Sequence, residues 1–238
     1  MRWYYTDWTY LLLVLPAMLF AMLASAKVNS TFRRYSQVPN RRHMTGYDAA
    51  RRVLDAHGLY HVRIEHISGN LTDHYDPRTQ VIRLSDSVYN AATPAAVGVA
   101  AHEAGHAVQH AENYAPLVLR NSVVKATNIG SKLSMPLILI GMLLSGIGRQ
   151  FIYVAYIGLG CYLLCVLFQL ITLPTEFNAS RRAVAAVSGS GMLDDDEMRG
   201  VKKVLRAAAM TYVAALAVSL AQFLRLLLII GSNNRRRD

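Results

Sequence analysis

Four apolar blocks are set into an otherwise mixed chain. Residues 10–26 form a nearly unbroken run, and 133–148 and 151–173 are separated by little more than Arg149-Gln150. Residues 207–230 form the last block, interrupted by Arg225. About 20 apolar residues are needed for a helix to cross a bilayer, so each block predicts a membrane helix. Trp3, Tyr4, Tyr5 and Trp8 before the first run suit an interfacial aromatic belt. The central pair predicts a helical hairpin whose ends return to one face. Its first arm is short for a full crossing and fits a shallow or tilted path. Pro174 is expected to end the second arm.

The intervening stretches carry the patterns of a water-soluble unit. Residues 47–57 read as a short amphipathic helix stopped by Gly58. Residues 59–67 (LYHVRIEHI) partly alternate and are rich in strand formers. Asp76-Pro77-Arg78 is a turn signal, and 80–84 a short strand, together predicting a hairpin. Thr93-Pro94 then opens a helix with the sequence AAVGVAAHEAGHAVQHA. A polar stretch at 175–206 contains the flexible Ser188-Gly189-Ser190-Gly191 and the acidic Asp194-Asp195-Asp196-Glu197. The expected division is an anchor at 1–26, a catalytic unit at 27–132 and a transmembrane hairpin at 133–173. A segment at 174–206 and a C-terminal apolar helix with basic tail at 207–238 complete it.

Composition sharpens this reading. Hydrophobic residues are 53% of the chain and mean hydropathy is +0.23, although the formal net charge is +10. The basic residues flank the apolar blocks: Lys27, Arg33, Arg34, Arg41 and Arg42, then Lys125 and Lys132, Arg181 and Arg182, and Arg235 to Arg237. That placement is a topology signal. No nucleic-acid motif accompanies it, so nucleic acid is not an expected partner. Ala24-Ser25-Ala26 resembles a signal-peptide cleavage site, but the leading segment balances one Arg against Asp7 and the dense basic charge follows the run. This favours an uncleaved anchor with its N-terminus outside and residue 27 onward in the cytoplasm. A spanning last block then leaves the Arg-rich tail outside, against the positive-inside rule, so either the block lies partly in the interface or Arg225 snorkels and the tail is an exception. Cys161 and Cys165 lie inside an apolar block and read as small residues on a membrane helix.

The chemistry centres on His102-Glu103-Ala104-Gly105-His106, an H-E-x-x-H pattern. On a helix, positions i and i+4 share a face, so both imidazoles can reach one metal. Catalytic zinc takes three protein ligands and a water whose pKa falls from about 15.7 to about 7. Glu103, beside a ligand, is placed to take that proton and pass it to a leaving amine. Gly105 removes bulk and suits close approach of backbone or substrate. The alternative is a surface helix that happens to carry two histidines. Glu176, just after Pro174-Thr175, is the candidate third ligand, and Ser180, one turn on, a candidate partner orienting a ligand. A first-turn glutamate favoured by the helix dipole explains position 176 equally well from spacing alone. His74 is a candidate to stabilise an oxyanion or position substrate, with a turn histidine as the alternative. Tyr75, Tyr114 and Arg182 are weaker candidates for that role, and His110 reads as a polar surface or supporting residue.

LTDHYDPRTQVIRLSDSVY, GVAAHEAGHAVQHAENYAPL, NIGS and LPTEFNASRRA together resemble the YugP-type "putative neutral zinc metallopeptidases" of bacterial membranes, over nearly the whole chain. The stretch around Glu176 is also similar to the E-x-x-A-D element of HtpX-type and CAAX-prenyl membrane proteases, whose glutamate is the third zinc ligand. The chain departs from that element at Ser180, where those families carry an aspartate. The resemblance implies a mostly α, α+β zincin-like catalytic domain combined with transmembrane helices. It implies one Zn2+ per chain held by His102, His106 and Glu176, with Glu103 as general base. By analogy with zincins, strand 80–84 is expected to offer an edge to an extended peptide. The expected protein is a multi-pass metalloprotease of the bacterial inner membrane with its catalytic domain on the cytoplasmic side. Its expected partners are a peptide or protein substrate, membrane proteins included, and the lipid bilayer. The alternative is a non-catalytic zinc-binding membrane adaptor, or a regulator of another protease, with a closed four-ligand site recruiting His110.

Overall fold

The computed structural model describes residues 7–235, so Trp3, Tyr4, Tyr5, Arg236 and Arg237 lie outside it. In chain order the elements are α1 (Leu15–Ser36), α2 (Gly46–Ala56), β1 (Arg63–Ile67), β2 (His74–Asp76), β3 (Val81–Ser85), α3 (Pro94–Ala111), α4 (Ala115–Leu144), α5 (Ile152–Gly189) and α6 (Asp195–Arg235). A π-helical turn at Tyr10–Val14 leads into α1. The chain is therefore α+β and mostly α. Among the described residues, four helical stretches are long and apolar enough to cross a membrane: Tyr10–Ser36, Ala115–Leu144, Arg149–Gly189 and Asp195–Ser232. Contacts divide the chain into two units. One holds the described parts of 1–23, 119–173 and 212–238, and the other holds Ala24–Val118 and Pro174–Thr211.

Two helix boundaries differ from the sequence expectation. Helix α4 begins at Ala115 and runs for 30 residues, so the first hairpin arm is not short. Asn121, Ser122, Lys125, Asn128, Ser131 and Lys132 dilute the apolar signal of its first half without breaking the helix. Pro174 does not end the second arm either, because α5 runs through it for 38 residues. Proline removes one backbone hydrogen bond, whereas ending a helix in apolar surroundings exposes several unpaired groups at once. Glu176 therefore sits in a helix interior, and the first-turn explanation for it is removed.

In the apolar unit, α4 and α5 meet at small residues. A Cβ on Gly141 would lie 2.3 Å from the Ala155 backbone nitrogen, and one on Gly158 2.7 Å from the Ser134 carbonyl. Such backbone contact is the common way for membrane helices to gain dispersion energy, since lipid supplies no hydrophobic force between them. Arg225 does not need to reach solvent: its Nη2 and Nε lie 2.6 and 2.9 Å from Asp7 Oδ2.

The second unit is built around α3. Thr93 caps it, accepting from the Ala96 N–H at 3.2 Å, and Pro94 occupies its first turn. It is buried on nearly every side, and Ala95, Ala96, Ala100, Ala101 and Ala104 show no exposure. Small side chains allow this: a Cβ on Gly98 would come within 3.2 Å of Val201 on α6. The surface-helix alternative for the two histidines therefore falls. Helix α2 starts with a reciprocal capping box between Thr45 and Asp48 and packs its apolar face on the same core.

The sheet order is β1-β3-β2, with β1 parallel and β2 antiparallel to β3. The hairpin forms as expected, but β3 is the central strand, hydrogen-bonded on both sides. It has no free edge for a peptide, and the edge expectation for 80–84 is corrected accordingly. The pattern shows why, since Val81, Ile82, Leu84 and Ser85 are all buried, as a strand covered on both faces requires.

Candidate metal centre

Helix α3 presents His102 and His106 four residues apart on one face, and α5 presents Glu176 opposite them. His102 Nε2 lies 3.3 Å and His106 Nε2 3.4 Å from Glu176 Oε2. The imidazoles meet edge to face, with centroids 4.7 Å apart. All three donor atoms fall within 4.8 Å of one another, and the group is buried, with Glu176 only 3% exposed. The edge of a tetrahedron with bonds of about 2.0–2.1 Å is roughly 3.3–3.4 Å, so these separations match two edges of a zinc coordination sphere. Among the described residues this is the only group of three or more His, Cys, Asp or Glu side chains placed to hold a metal.

The partners of the other ring nitrogens tell which atoms are free. Gln109, on α3 and fully buried, donates from Nε2 to the Thr175 carbonyl at 2.8 Å and to Asn178 Oδ1 at 2.9 Å. Its Oε1 must then face His106 Nδ1, 2.9 Å away, so His106 donates from Nδ1 and keeps its Nε2 lone pair for the cluster. Arg182 anchors the same chain, with Nε 2.7 Å from Asn178 Oδ1 and Nη2 2.6 Å from Glu112 Oε2. Ser180 Oγ lies 3.2 Å from His102 Nδ1. A hydroxyl can accept or donate, so it orients this ring while fixing its tautomer less firmly than a carboxylate would. Lone pairs of two rings and a carboxylate oxygen converging in a buried place are satisfied by a cation, or by a proton on an imidazole. Burial disfavours the charged form of His106, yet its hydrogen bond to Glu176 and the charges of Glu103 and Glu176 outweigh this and raise its pKa above the ordinary value.

Gly105 explains how α5 reaches the metal face of α3. A Cβ there would stand 3.0 Å from the Ala179 carbonyl oxygen, so the close approach is by backbone. Glu103 follows His102 on α3 and is 9% exposed. Asp73, whose carboxylate accepts from the Ser85 N–H at 2.7 Å, is pushed up in pKa chiefly by burial and also by the charge of Glu103. It is thus part of the electrostatic surroundings of Glu103.

The other sequence candidates are used differently. His74 is exposed and its Nδ1 is 2.9 Å from the Thr72 carbonyl, so it is not drawn into the cluster. The next residue, Tyr75, turns to the opposite face of β2 and places its hydroxyl 2.8 Å from His110 Nδ1. Burial pushes the Tyr75 phenol up to about 12, so it is neutral there. Gln109 is the residue that sequence reasoning does not single out, although its place three residues after His106 on the same face offers the signal. Gln109→Leu is expected to weaken zinc binding by about 10- to 100-fold. Chelator competition measures this, and an affinity equal to the parent's would mean that Gln109 does not orient His106.

The comparisons with known proteins agree with this geometry. The profile of the family described as "Putative neutral zinc metallopeptidase" matches residues 10–231. A protein of Bacillus subtilis (strain 168) named "Putative membrane protease YugP" is 46% identical over 222 residues, covering 92% of this chain and 96% of its own. No solved structure matches the chain. A buried His-His-Glu group able to hold a metal, four helices among the described residues able to cross a membrane, and a family match along nearly the whole length place this chain in the family described as "Putative neutral zinc metallopeptidase".

Proposed function

We propose that this protein hydrolyses peptide bonds with one zinc ion held by His102, His106 and Glu176, and with Glu103 as general base and acid. The observation that carries the reading is the convergence of two imidazole Nε2 atoms and one carboxylate oxygen beside a nearly buried glutamate that is not one of the three. When bound, zinc supplies a Lewis acid and makes a water acidic near neutral pH. Glu103 takes the proton of the attacking water and delivers it to the leaving amine as the C–N bond breaks. Gln109 and Ser180 hold the two rings in place, and the buried setting strengthens each of these contacts. The adaptor alternative needs a fourth protein ligand, and His110, which it would recruit, is engaged by Tyr75.

The test is zinc content and peptidase activity of the full-length protein in a mild detergent. One zinc per chain is expected, with activity lost to a chelator and restored by added zinc; activity indifferent to the chelator overturns the reading. Zinc affinity is also expected to fall as pH drops below the raised pKa of His106, because proton and metal compete for Nε2. In the metal-free protein the sign reverses. The raised pKa stabilises the fold fully below the ordinary value of 6.5, and that contribution is lost as pH rises through the raised value. Zinc affinity independent of pH over that window would contradict the ligand role of His106.

The unit carrying this site is assigned to the cytoplasmic side of the inner membrane. The support is the basic charge that follows residue 26; the four candidate spans among the described residues then set the expected side of the segment after the last of them. A cysteine introduced at His43 should resist an impermeant maleimide in intact cells, and one after Asp238 should react. The opposite pattern reverses the orientation.

A further inference from the structure

We propose that the groove between residues 27–35 of α1 and 203–210 of α6 is a phosphate site for the headgroup of an anionic phospholipid. The cavity has a volume of about 490 Å3. Its walls are two helix faces, with Lys27, Thr31 and Arg34 on α1 and Lys203, Arg206 and Ala207 on α6. Residues three, four and seven apart share a face, so each helix offers two cations to the same space, above a floor of buried Thr31 and Ala207. No acidic residue lines it.

Convergence separates this groove from an ordinary basic surface: Arg33, Arg52, Arg181, Arg199 and Lys202 also form no ion pair among the described residues, but here four such cations and no acid line one cavity. Arg41 and Arg42 pair with Asp194, Arg51 with Asp55, Arg83 with Glu65 and Asp76, and Arg182 with Glu112. None of Lys27, Arg34, Lys203 and Arg206 forms an ion pair with an acid among the described residues, and the Thr31 hydroxyl makes no hydrogen bond to one. Four unpaired cations around one cavity repel each other, and a bound anion relieves that repulsion. Three anionic oxygens of a phosphate also match the mixture of guanidinium, ammonium and hydroxyl donors.

The position along each helix points to lipid as the source of the phosphate. Lys27 directly follows the apolar run 10–26, and Arg206 directly precedes the apolar block 207–230. The groove thus lies where both apolar segments give way to polar chain, the depth at which lipid phosphates sit. Basic pockets between membrane helices on the cytoplasmic side bind such headgroups, with about 1 kcal/mol, or roughly fivefold in affinity, for each cation. The inference stands apart from the peptidase reading, because none of these residues belongs to the metal centre.

Native mass spectrometry of the full-length protein in neutral detergent tests it, with phosphatidylglycerol, phosphatidylcholine and inorganic phosphate as probes. Phosphatidylglycerol is expected to bind more tightly than phosphatidylcholine. Each of Lys27→Gln and Lys203→Gln is expected to weaken it about fivefold, and the double variant about 25-fold. Arg33→Gln/Lys202→Gln removes the same charge from neighbouring positions outside the groove and should stay within about twofold of the parent. Equal weakening in that control, or parent-like binding in the groove variant, overturns the proposal in favour of diffuse attraction. Inorganic phosphate binding as tightly as phosphatidylglycerol overturns the lipid source and leaves a site for soluble phosphate. If the double variant unfolds, Arg34→Gln alone, at an exposed position, carries the same expectation and the same reversal.

Discussion

Glu103→Gln is expected to keep its zinc and lose peptide hydrolysis by about two to four orders of magnitude, the usual contribution of a positioned acid–base group. The exchange keeps the shape of a nearly buried side chain and removes only its ability to accept a proton. Zinc stays because Glu103 is not among the three converging donors. The loss should fall on kcat more than on KM, since proton transfer belongs to the transition state. A second signature separates it from general damage: the charge of Glu103 helps to raise the pKa of His106. Its removal therefore lets zinc compete with protons to lower pH than in the parent. Turnover within a few-fold of the parent would take the general-base role away from Glu103.

Glu176→Ala is expected to lose zinc. Folded zinc sites bind with about 10–16 kcal/mol shared among their ligands, so deleting one of three costs roughly 3–5 kcal/mol, or on the order of a hundred- to a few thousand-fold in affinity. The loss is deepened because the carboxylate is the only negative charge among the donors, and two neutral imidazoles hold a divalent cation less well. Glu176→Gln separates this from a packing defect, since it keeps the volume of a buried side chain while weakening the ligand. Metal analysis after dialysis against a weak chelator is the measurement. Full zinc in Glu176→Ala would require a different third ligand.

Much of this arrangement was legible in the sequence because local rules and tertiary packing agree there. Thr93-Pro94 starts a helix in isolation as it does in the fold. The four-residue spacing of His102 and His106 fixes a shared face whatever surrounds it. Spacing offered Glu176 only beside an equal alternative and resemblance decided between them, because the pairing of α3 with α5 depends on Gly105 meeting the Ala179 backbone. No period or composition encodes such a contact between distant segments. Pro174 misled for a physical reason: its local cost is real, but apolar surroundings make a helix end costlier still. The 73–75 stretch misled through parity. Alternation in β2 sends Tyr75 toward α3 and leaves His74 exposed, and only the pairing of β2 with β3 decides which parity faces inward.

The Asp7–Arg225 pair also sets an order on how the chain can be made. An arginine at the centre of a membrane helix costs about 2.5–3.5 kcal/mol, an upper bound for Arg225 near the end of block 207–230, and its carboxylate partner was synthesised 218 residues earlier. Until the last apolar block emerges, that carboxylate has only its local partners, the Thr9 hydroxyl and the Tyr10 N–H. A chain stopped before α6 would thus hold its first apolar helix without the contact that ties it to the last one.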